Sequence, residues 1–168
     1  NVYLTDLLAT LCEVAGIEPP ASNEGTSFLP VLTGERPRIR DVLYGAYCGG
    51  QRPGIRAVRR GDWKLIEYES GTGERHTQLF NLRDNPLELL AEHHDPAIKA
   101  VSRVAPLADQ RSLAADPAQA ARRAALEADL LAEMQRLEDP FRFSYQPADE
   151  GAAPAEVVPA TQSVQPGG

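Results

Sequence analysis

Between residues 41 and 86 the chain sets four strand-like runs one after another with no helical periodicity between them. That order limits the fold more than any other feature. Val42-Leu43-Tyr44-Gly45-Ala46-Tyr47 is strand-like in composition and runs into a loop, Gly49-Gly50-Gln51-Arg52-Pro53-Gly54. Residues 55–59 alternate, with Ile55, Ala57 and Arg59 set against Arg56 and Val58. Arg60-Gly61-Asp62 is a turn and residues 63–68 are the partner strand, so the two runs predict a β-hairpin. A polar loop over 69–75 leads to a last strand over 77–82, closed by Arg83-Asp84-Asn85-Pro86. Parallel pairing needs a crossover of a dozen or more residues, which these connections lack. An antiparallel sheet with one covered face follows, and with the helices around it an α+β fold.

Helices flank this block on both sides. Leu4, Leu7, Leu8, Leu11, Val14 and Ala15 fall at i, i+3, i+4 spacing and predict an amphipathic helix over 4–15. Gly16 is placed as its left-handed stop, and Pro19-Pro20 forbids continuation. Thr5 and Asp6 suit the positive end of its dipole. Ser27 is the candidate cap of a short helix over 28–32, stopped by Gly34. Residues 95–115 are ambiguous: Ile98, Val101 and Val104 have helical spacing, but Pro106 interrupts. Asp116-Pro117 then supplies a cap followed by Pro at the first helical position. Residues 118–137 are rich in good helix formers, with an apolar stripe of Leu126, Leu130, Met134 and Leu137. Beyond Gln146 the chain is Pro, Ala, Gly, Val and Gln with three acids and no base, too little apolar surface to offset ordering entropy, and reads as a disordered tail.

Composition removes several function classes. The 168 residues carry 17 Lys plus Arg against 24 Asp plus Glu, a formal charge of −7, which argues against general nucleic-acid binding. No run approaches the roughly 20 apolar residues of a spanning helix, so no membrane partner is expected. Cys12 and Cys48 form neither a disulfide framework nor a zinc pattern. The chain opens at Asn1 without an initiator Met or a signal-peptide pattern, and is expected to be a piece of something larger. Compartment is left undetermined.

Few residues carry chemistry on their own. Cys12 sits among leucines at helical spacing and reads as a small buried hydrophobe. Cys48 ends a strand without a nearby His to activate it. His93-His94-Asp95 are adjacent, and neighbouring side chains diverge, so a solvated loop is a better reading than a metal site. Trp63 belongs to a core-facing strand, while Glu67 and Glu69 share one strand face and read as surface charges rather than an acid/base pair. Arg52, Arg56, Arg59, Arg60 and Lys64 are the densest positive stretch. It reads either as solvated charge on an exposed sheet face or, from the loop, as a guanidinium contact to sulfate, phosphate or carboxylate. No phosphate loop, dinucleotide fingerprint or Gly-x-Ser-x-Gly element is present.

The order of segments resembles type I sulfatases. Residues 2–20, with Thr5-Asp6-Leu7-Leu8-Ala9-Thr10-Leu11, Ala15-Gly16-Ile17 and Pro19, look like the family's late helix. Gly25-Thr26-Ser27-Phe28-Leu29 to Leu32-Thr33-Gly34 looks like its "Gly-x-Ser-Leu…Leu-x-Gly" stretch. Arg56-Ala57-Val58-Arg59 and Lys64-Leu65-Ile66 match its "Arg-x-Val-Arg…Lys-Leu-Ile" hairpin, and Leu79-Phe80-Asn81-Leu82…Asn85-Pro86-Leu87-Glu88 its "Leu-Tyr-Asp-Leu…Asp-Pro-x-Glu" signature. A last helix ending near Asp139-Pro140 is also expected, so the resemblance covers roughly residues 2–140. Ala9, Asn81 and Asn85 replace a Pro and two Asp that are usual in the family.

The resemblance implies a fold and a division of labour. Residues 1–40 would end an alkaline-phosphatase-like α/β domain otherwise missing from this chain. Residues 41–145 would be a C-terminal subdomain, an antiparallel sheet of about four strands packed by a long helix, and 146–168 a tail. The family hydrolyses sulfate esters with a formylglycine made from Cys or Ser in a Cys/Ser-x-Pro-x-Arg motif, and with calcium. Cys12 is followed by Glu13-Val14-Ala15 and Cys48 by Gly49-Gly50-Gln51, so neither fits. Both groups are expected in the missing N-terminal part, leaving no catalytic or metal residue here. The chain would complete the fold and wall the substrate cleft, with Gln51, Arg52 and Arg56 meeting a sulfated small molecule or glycan. Its partners would be that substrate and the N-terminal domain. The alternatives are a fragment of a phosphonate or phosphate monoester hydrolase of the same superfamily, or a free-standing anion-binding module built on the arginine hairpin.

Overall fold

A computed structural model describes residues 1–47, 54–69, 74–91, 96, 100, 101, 103–144 and 146. Helix α1 is Asp6–Ala15 and a single turn α2 is Leu29–Leu32. Strands β1 (Val42–Tyr47), β2 (Gly54–Arg60), β3 (Trp63–Glu69) and β4 (Arg75–Asn81) follow, and then a 3-10 turn, Pro117–Gln119, opens helix α3, Ala120–Arg136. The strands form one antiparallel sheet in sequence order, as expected.

Gly61 sits at positive φ in the two-residue turn between Arg60 and Trp63, a conformation that lets the turn follow the twist of both strands. Register puts Val58, Leu65 and Leu79 side by side on one face, and Leu126, Leu130 and Met134 of α3 cover them together with Phe143. This is the core of the fold. Trp63 packs at its margin under the Arg122 guanidinium, 4.1 Å from the ring centroid. The free edge of β4 is covered by the run into α3: Leu113 N–H donates to Leu79 O at 2.8 Å, and Leu79 N–H to Ser112 Oγ at 3.2 Å. Asp116 caps the helical stretch, its side chain accepting from Ala118 N–H at 2.9 Å.

Three expectations need correction at the ends of elements. Strand β4 begins at Arg75 rather than residue 77, because Arg75 is still in register with Glu69. Helix α3 stops at Arg136, so Leu137 leaves the apolar stripe and is exposed. Thr5 does not cap α1; it is itself helical and makes no side-chain cap bond, while Asp6 accepts from Tyr3 N–H at 2.6 Å. The other end of α1 is closed as expected. Gly16 takes φ +67°, its N–H donates to Glu13 O and Ile17 N–H to Cys12 O, the paired bonds of a Schellman stop.

Asp6 organises the first forty residues. It is fully buried, accepts from Thr26 N–H at 2.9 Å, and takes both Nη atoms of Arg40. The Arg40 hydrogen bond, above all, lowers its pKa to about 2. Thr10 Oγ1 donates to Asp6 O and accepts from Phe28 N–H, tying α2 to α1. Gly25 passes so close to the Thr5 carbonyl that a Cβ would overlap backbone. The polar and small side of α1 (Asp6, Ala9, Thr10, Cys12) is therefore buried, and its apolar stripe is not: Leu4 is 87% and Leu11 64% exposed, with Leu7, Leu8, Val14 and Ile17 exposed beside them.

Of the residues expected to be a disordered tail, only Gln146 is among those described. No helix among the described residues is long and apolar enough to cross a membrane.

Candidate functional site

Alternation along β2 and β3 sends Gly54, Arg56, Val58 and Arg60 to the covered face with Leu65, Glu67 and Glu69. The sheet therefore buries charge as well as hydrocarbon at its 48–53 end. Arg56 is only 2% exposed. Its Nε and Nη2 donate to Asp139 at 2.6 and 2.7 Å, a bidentate fork. The same carboxylate accepts from Tyr44 Oη and, at 2.9 Å, from Phe141 N–H. These donors outweigh the cost of burial and bring the Asp139 pKa to about 2, whereas burial and the neighbouring carboxylate push the Tyr44 phenol upward. The Phe141 ring lies 4.6 Å from the Arg56 guanidinium and packs on Gly54.

Glu67 and Glu69 were expected at the surface, and both are buried. Their face is the one that α3 and the run after it cover. Glu67 takes Arg75, which also reaches Glu127 of α3 at 2.8 Å. Glu69 accepts from Ser144 N–H at 2.8 Å and from its hydroxyl at 2.5 Å. The two carboxylates face separate partners, which suits anchoring rather than proton transfer.

Among the described residues of the positive stretch, Arg56, Arg60 and Lys64 each form an ion pair. Arg60 forks onto Asp129 at 2.7 and 2.6 Å, Lys64 holds Glu88 on the opposite face, and Arg59 donates to Gly61 O. Of the three candidate substrate contacts, Arg56 is this buried, Asp139-bound side chain; Gln51 and Arg52 lie outside the described residues, as do Cys48 and His93-His94-Asp95. His76 stacks on Tyr68 with ring centroids 5.0 Å apart. Cys12 is a buried free thiol in α1. From sequence Asp139 reads only as the end of a helix, and Phe141 and Ser144 carry no signal, because the side chains that Asp139 and Ser144 bind lie 75 or more residues away in the chain.

The N-sulphoglucosamine sulphohydrolase C-terminal family model matches residues 2–110. The chain belongs to that family. This sulfatase C-terminal domain is 34% identical over 116 residues to the Delta 4,5-hexuronate-2-O-sulfatase of Bacteroides thetaiotaomicron, covering 66% of this chain and 22% of that protein. An uncharacterized protein of Haemophilus influenzae is 30% identical over 107 residues, 61% of this chain and 51% of that one. Among solved structures, one in complex with its substrate D-glucosamine-2-N,6-O-disulfate aligns with a TM-score of 0.59 at 17% identity, over 84% of this chain and 25% of that one. That likeness shows the fold: a four-stranded antiparallel sheet with a helix on one face. The chain thus spans about half or less of the length of each of these proteins. The matched family and this relative are named as a sulphohydrolase and a sulfatase, neither as a phosphate-ester hydrolase.

Among the described residues, none is arranged as calcium or formylglycine would require. Among the described residues no three His, Cys, Asp or Glu side chains converge as a metal would require. Cys12 is buried in a helix and lacks the Cys-x-Pro-x-Arg context.

Proposed function

We propose that this chain is the C-terminal part of a sulfatase acting on a sulfated saccharide, and that it completes the enzyme without a catalytic centre of its own. The observation that carries the reading is the uncovered stripe of α1. Leu4, Leu7, Leu8, Leu11, Val14 and Ile17 face outward while Asp6, Thr10 and Cys12 are buried. A helix that buries its polar side and exposes its leucines lacks a layer against which to pack. In this reading the layer is the preceding α/β domain, and residues 1–40 are its last part. A free-standing binding module would have covered this face, and Arg56, Arg60 and Lys64 of its hairpin would not already be paired with Asp139, Asp129 and Glu88.

Calcium and formylglycine, supplied by that preceding domain, would provide the polarising charge and the nucleophile. This chain contributes position. The connection between β1 and β2 walls the cleft, where Gln51 and Arg52 meet the anionic saccharide and Arg56 holds the strand beneath them. Arg52 is the natural sulfate contact because a guanidinium offers paired donors to neighbouring oxygens.

The test is to extend the reading frame upstream of Asn1, express the intact polypeptide and the 168-residue chain, and measure sulfate release from D-glucosamine-2-N,6-O-disulfate and an aryl sulfate. The intact protein is expected to release sulfate from at least one, and the chain from neither. Hydrolysis by the chain alone, or an upstream frame without Cys/Ser-x-Pro-x-Arg, overturns the reading.

A further inference from the structure

The sheet repeats part of the inversion seen in α1. Along β2 and β3 the charged Arg56, Glu67 and Glu69 lie on the face that α3 covers and are buried, while Ile55, Ala57 and Ile66 lie on the other face. An antiparallel sheet with one solvated face ordinarily keeps apolar side chains inward and polar ones outward. Register sets Gly45, Ala57, Ile66 and Gln78 in one row across the outer face, and Leu43, Arg59, Lys64 and Phe80 in the next. Phe80 is buried, but Leu43, Ala57 and Ile66 are only half-buried and Gly45 is exposed. Nothing local calls for a glycine at position 45: the register of β1 with β2 is unbroken, and φ there is not positive. A Cβ at Gly45 would meet nothing within 4 Å. Glycine inside a regular strand costs stability and often marks a place where another backbone comes close. An open concavity of about 320 Å³ lies over this point, with Tyr3, Leu43, Gly45, Ala57, Arg59 and Lys64 in its lining.

We propose that this outer face is a docking surface for the preceding domain, which lays an apolar segment across Gly45 and Ala57 and brings a carboxylate to Arg59. The inference rests on the reading that such a domain completes the fold, and extends its contact from α1 to the sheet. Three observations name the occupant. Tyr3 walls the concavity, held to β1 by Tyr44 N–H, which donates to its Oη at 2.6 Å. Tyr3 runs directly into Leu4, the first residue of the exposed stripe, so concavity and stripe adjoin and one partner can cover both. On the rim Lys64 is already paired with Glu88, whereas Arg59 donates to Gly61 O and no carboxylate among the described residues pairs with it. A half-buried guanidinium at the edge of an apolar patch fits an acidic side chain on the partner. The stretch matched in the hexuronate sulfatase is 22% of that protein, which leaves ample polypeptide there for such a partner.

Thiol labelling, read site by site by mass spectrometry, tests it. Ile66→Cys sets a small thiol on the outer face beside Ala57, and Leu11→Cys sets one on the α1 stripe. Each is labelled with iodoacetamide in the 168-residue chain and in the intact polypeptide obtained by extending the frame upstream of Asn1. Both are expected to react at least about ten-fold more slowly in the intact polypeptide. Gly45→Leu then fills the point of close approach. It is expected to leave the denaturation midpoint of the 168-residue chain and its labelling at 66 unchanged, and to speed labelling at 66 in the intact polypeptide about ten-fold. Arg59→Glu, which reverses the rim charge, is expected to speed it there about three-fold. Protection at 11 without protection at 66 overturns the sheet-face inference and leaves the reading of α1 standing. Protection at neither site overturns both. Protection at 66 that Gly45→Leu does not relieve overturns the close approach, and protection in the 168-residue chain that grows with its concentration gives the face to a second copy and overturns the inference too.

Discussion

The two ends of the chain use the same device to opposite effect. Residues 1–41 are gathered around a buried aspartate, Asp6, that takes a guanidinium and two backbone N–H groups. Residues 139–144 are gathered around Asp139, which takes a guanidinium, a phenol and one backbone N–H. Around Asp139 the apolar surfaces of sheet and helix close on each other. Around Asp6 they do not, and the leucines of α1 face outward. A buried ion pair specifies where segments meet but does not stand in for a core. The sheet and α3 close an apolar core between them, while the first forty residues are held in shape with the apolar stripe of α1 exposed.

Core truncations should separate the two regions most sharply. Leu130→Ala opens a cavity between α3 and the sheet and is expected to cost about 2–5 kcal/mol in chemical denaturation of this chain. Leu11→Ala, a change of the same size on the exposed stripe of α1, is expected to cost less than about 0.5 kcal/mol. In the intact polypeptide the Leu11→Ala cost should climb toward that of Leu130→Ala. Equal costs in the isolated chain would break the contrast.

Acid should weaken both regions together. The pKa values of Asp6 and Asp139 are lowered to about 2, so each binds its proton more readily unfolded than folded. Their contribution is complete above the ordinary value of 3.8 and is lost as pH falls from there through about 2. Each is worth roughly 2 kcal/mol at neutral pH. Denaturation at pH 6 and at pH 3 should show the drop, and Asp6→Asn should flatten it by about half. A pH-independent stability between those values would mean that neither pair forms.

A smaller effect sharpens the comparison from the other side. Gly16→Ala forces a side chain into the left-handed stop of α1, with no neighbour to clash, and should cost about 1 kcal/mol through backbone strain alone. The loss should appear as faster amide exchange in α1 with the sheet untouched. If exchange at Leu65 and Leu79 also accelerates, the two regions unfold as one unit.

The strands and helices were legible because period and punctuation agree: alternation over 55–59, Gly61 at the turn, Gly16 and Pro19 behind α1. Glu67 and Glu69 were misread for an equally physical reason. Alternation correctly put them on the Leu65 face, but residue type argued for solvent, and their partners Arg75 and Ser144 are a matter of tertiary placement. Arg56 is the same case: its type invited an anionic ligand, and the fold supplies Asp139 from 83 residues away. Leu137 fits the stripe by spacing but falls one residue past the helix.

The smallest effect is expected at Arg60, and it bounds what the hairpin charges contribute. Its fork onto Asp129 has the same geometry as the Arg56–Asp139 pair, at 2.7 and 2.6 Å, but the Arg60 side chain is 52% exposed. Water screens the attraction and ordering two side chains costs entropy, so exposed pairs contribute about 0–1 kcal/mol. Arg60→Ala should therefore shift stability by less than about 0.5 kcal/mol, and added salt should erase even that. A loss of several kcal/mol would mean that the pair anchors α3 to the hairpin as Asp139 anchors the run after α3 to the sheet. Ion pairs would then hold the covered face along its length and not at the buried Arg56–Asp139 fork alone.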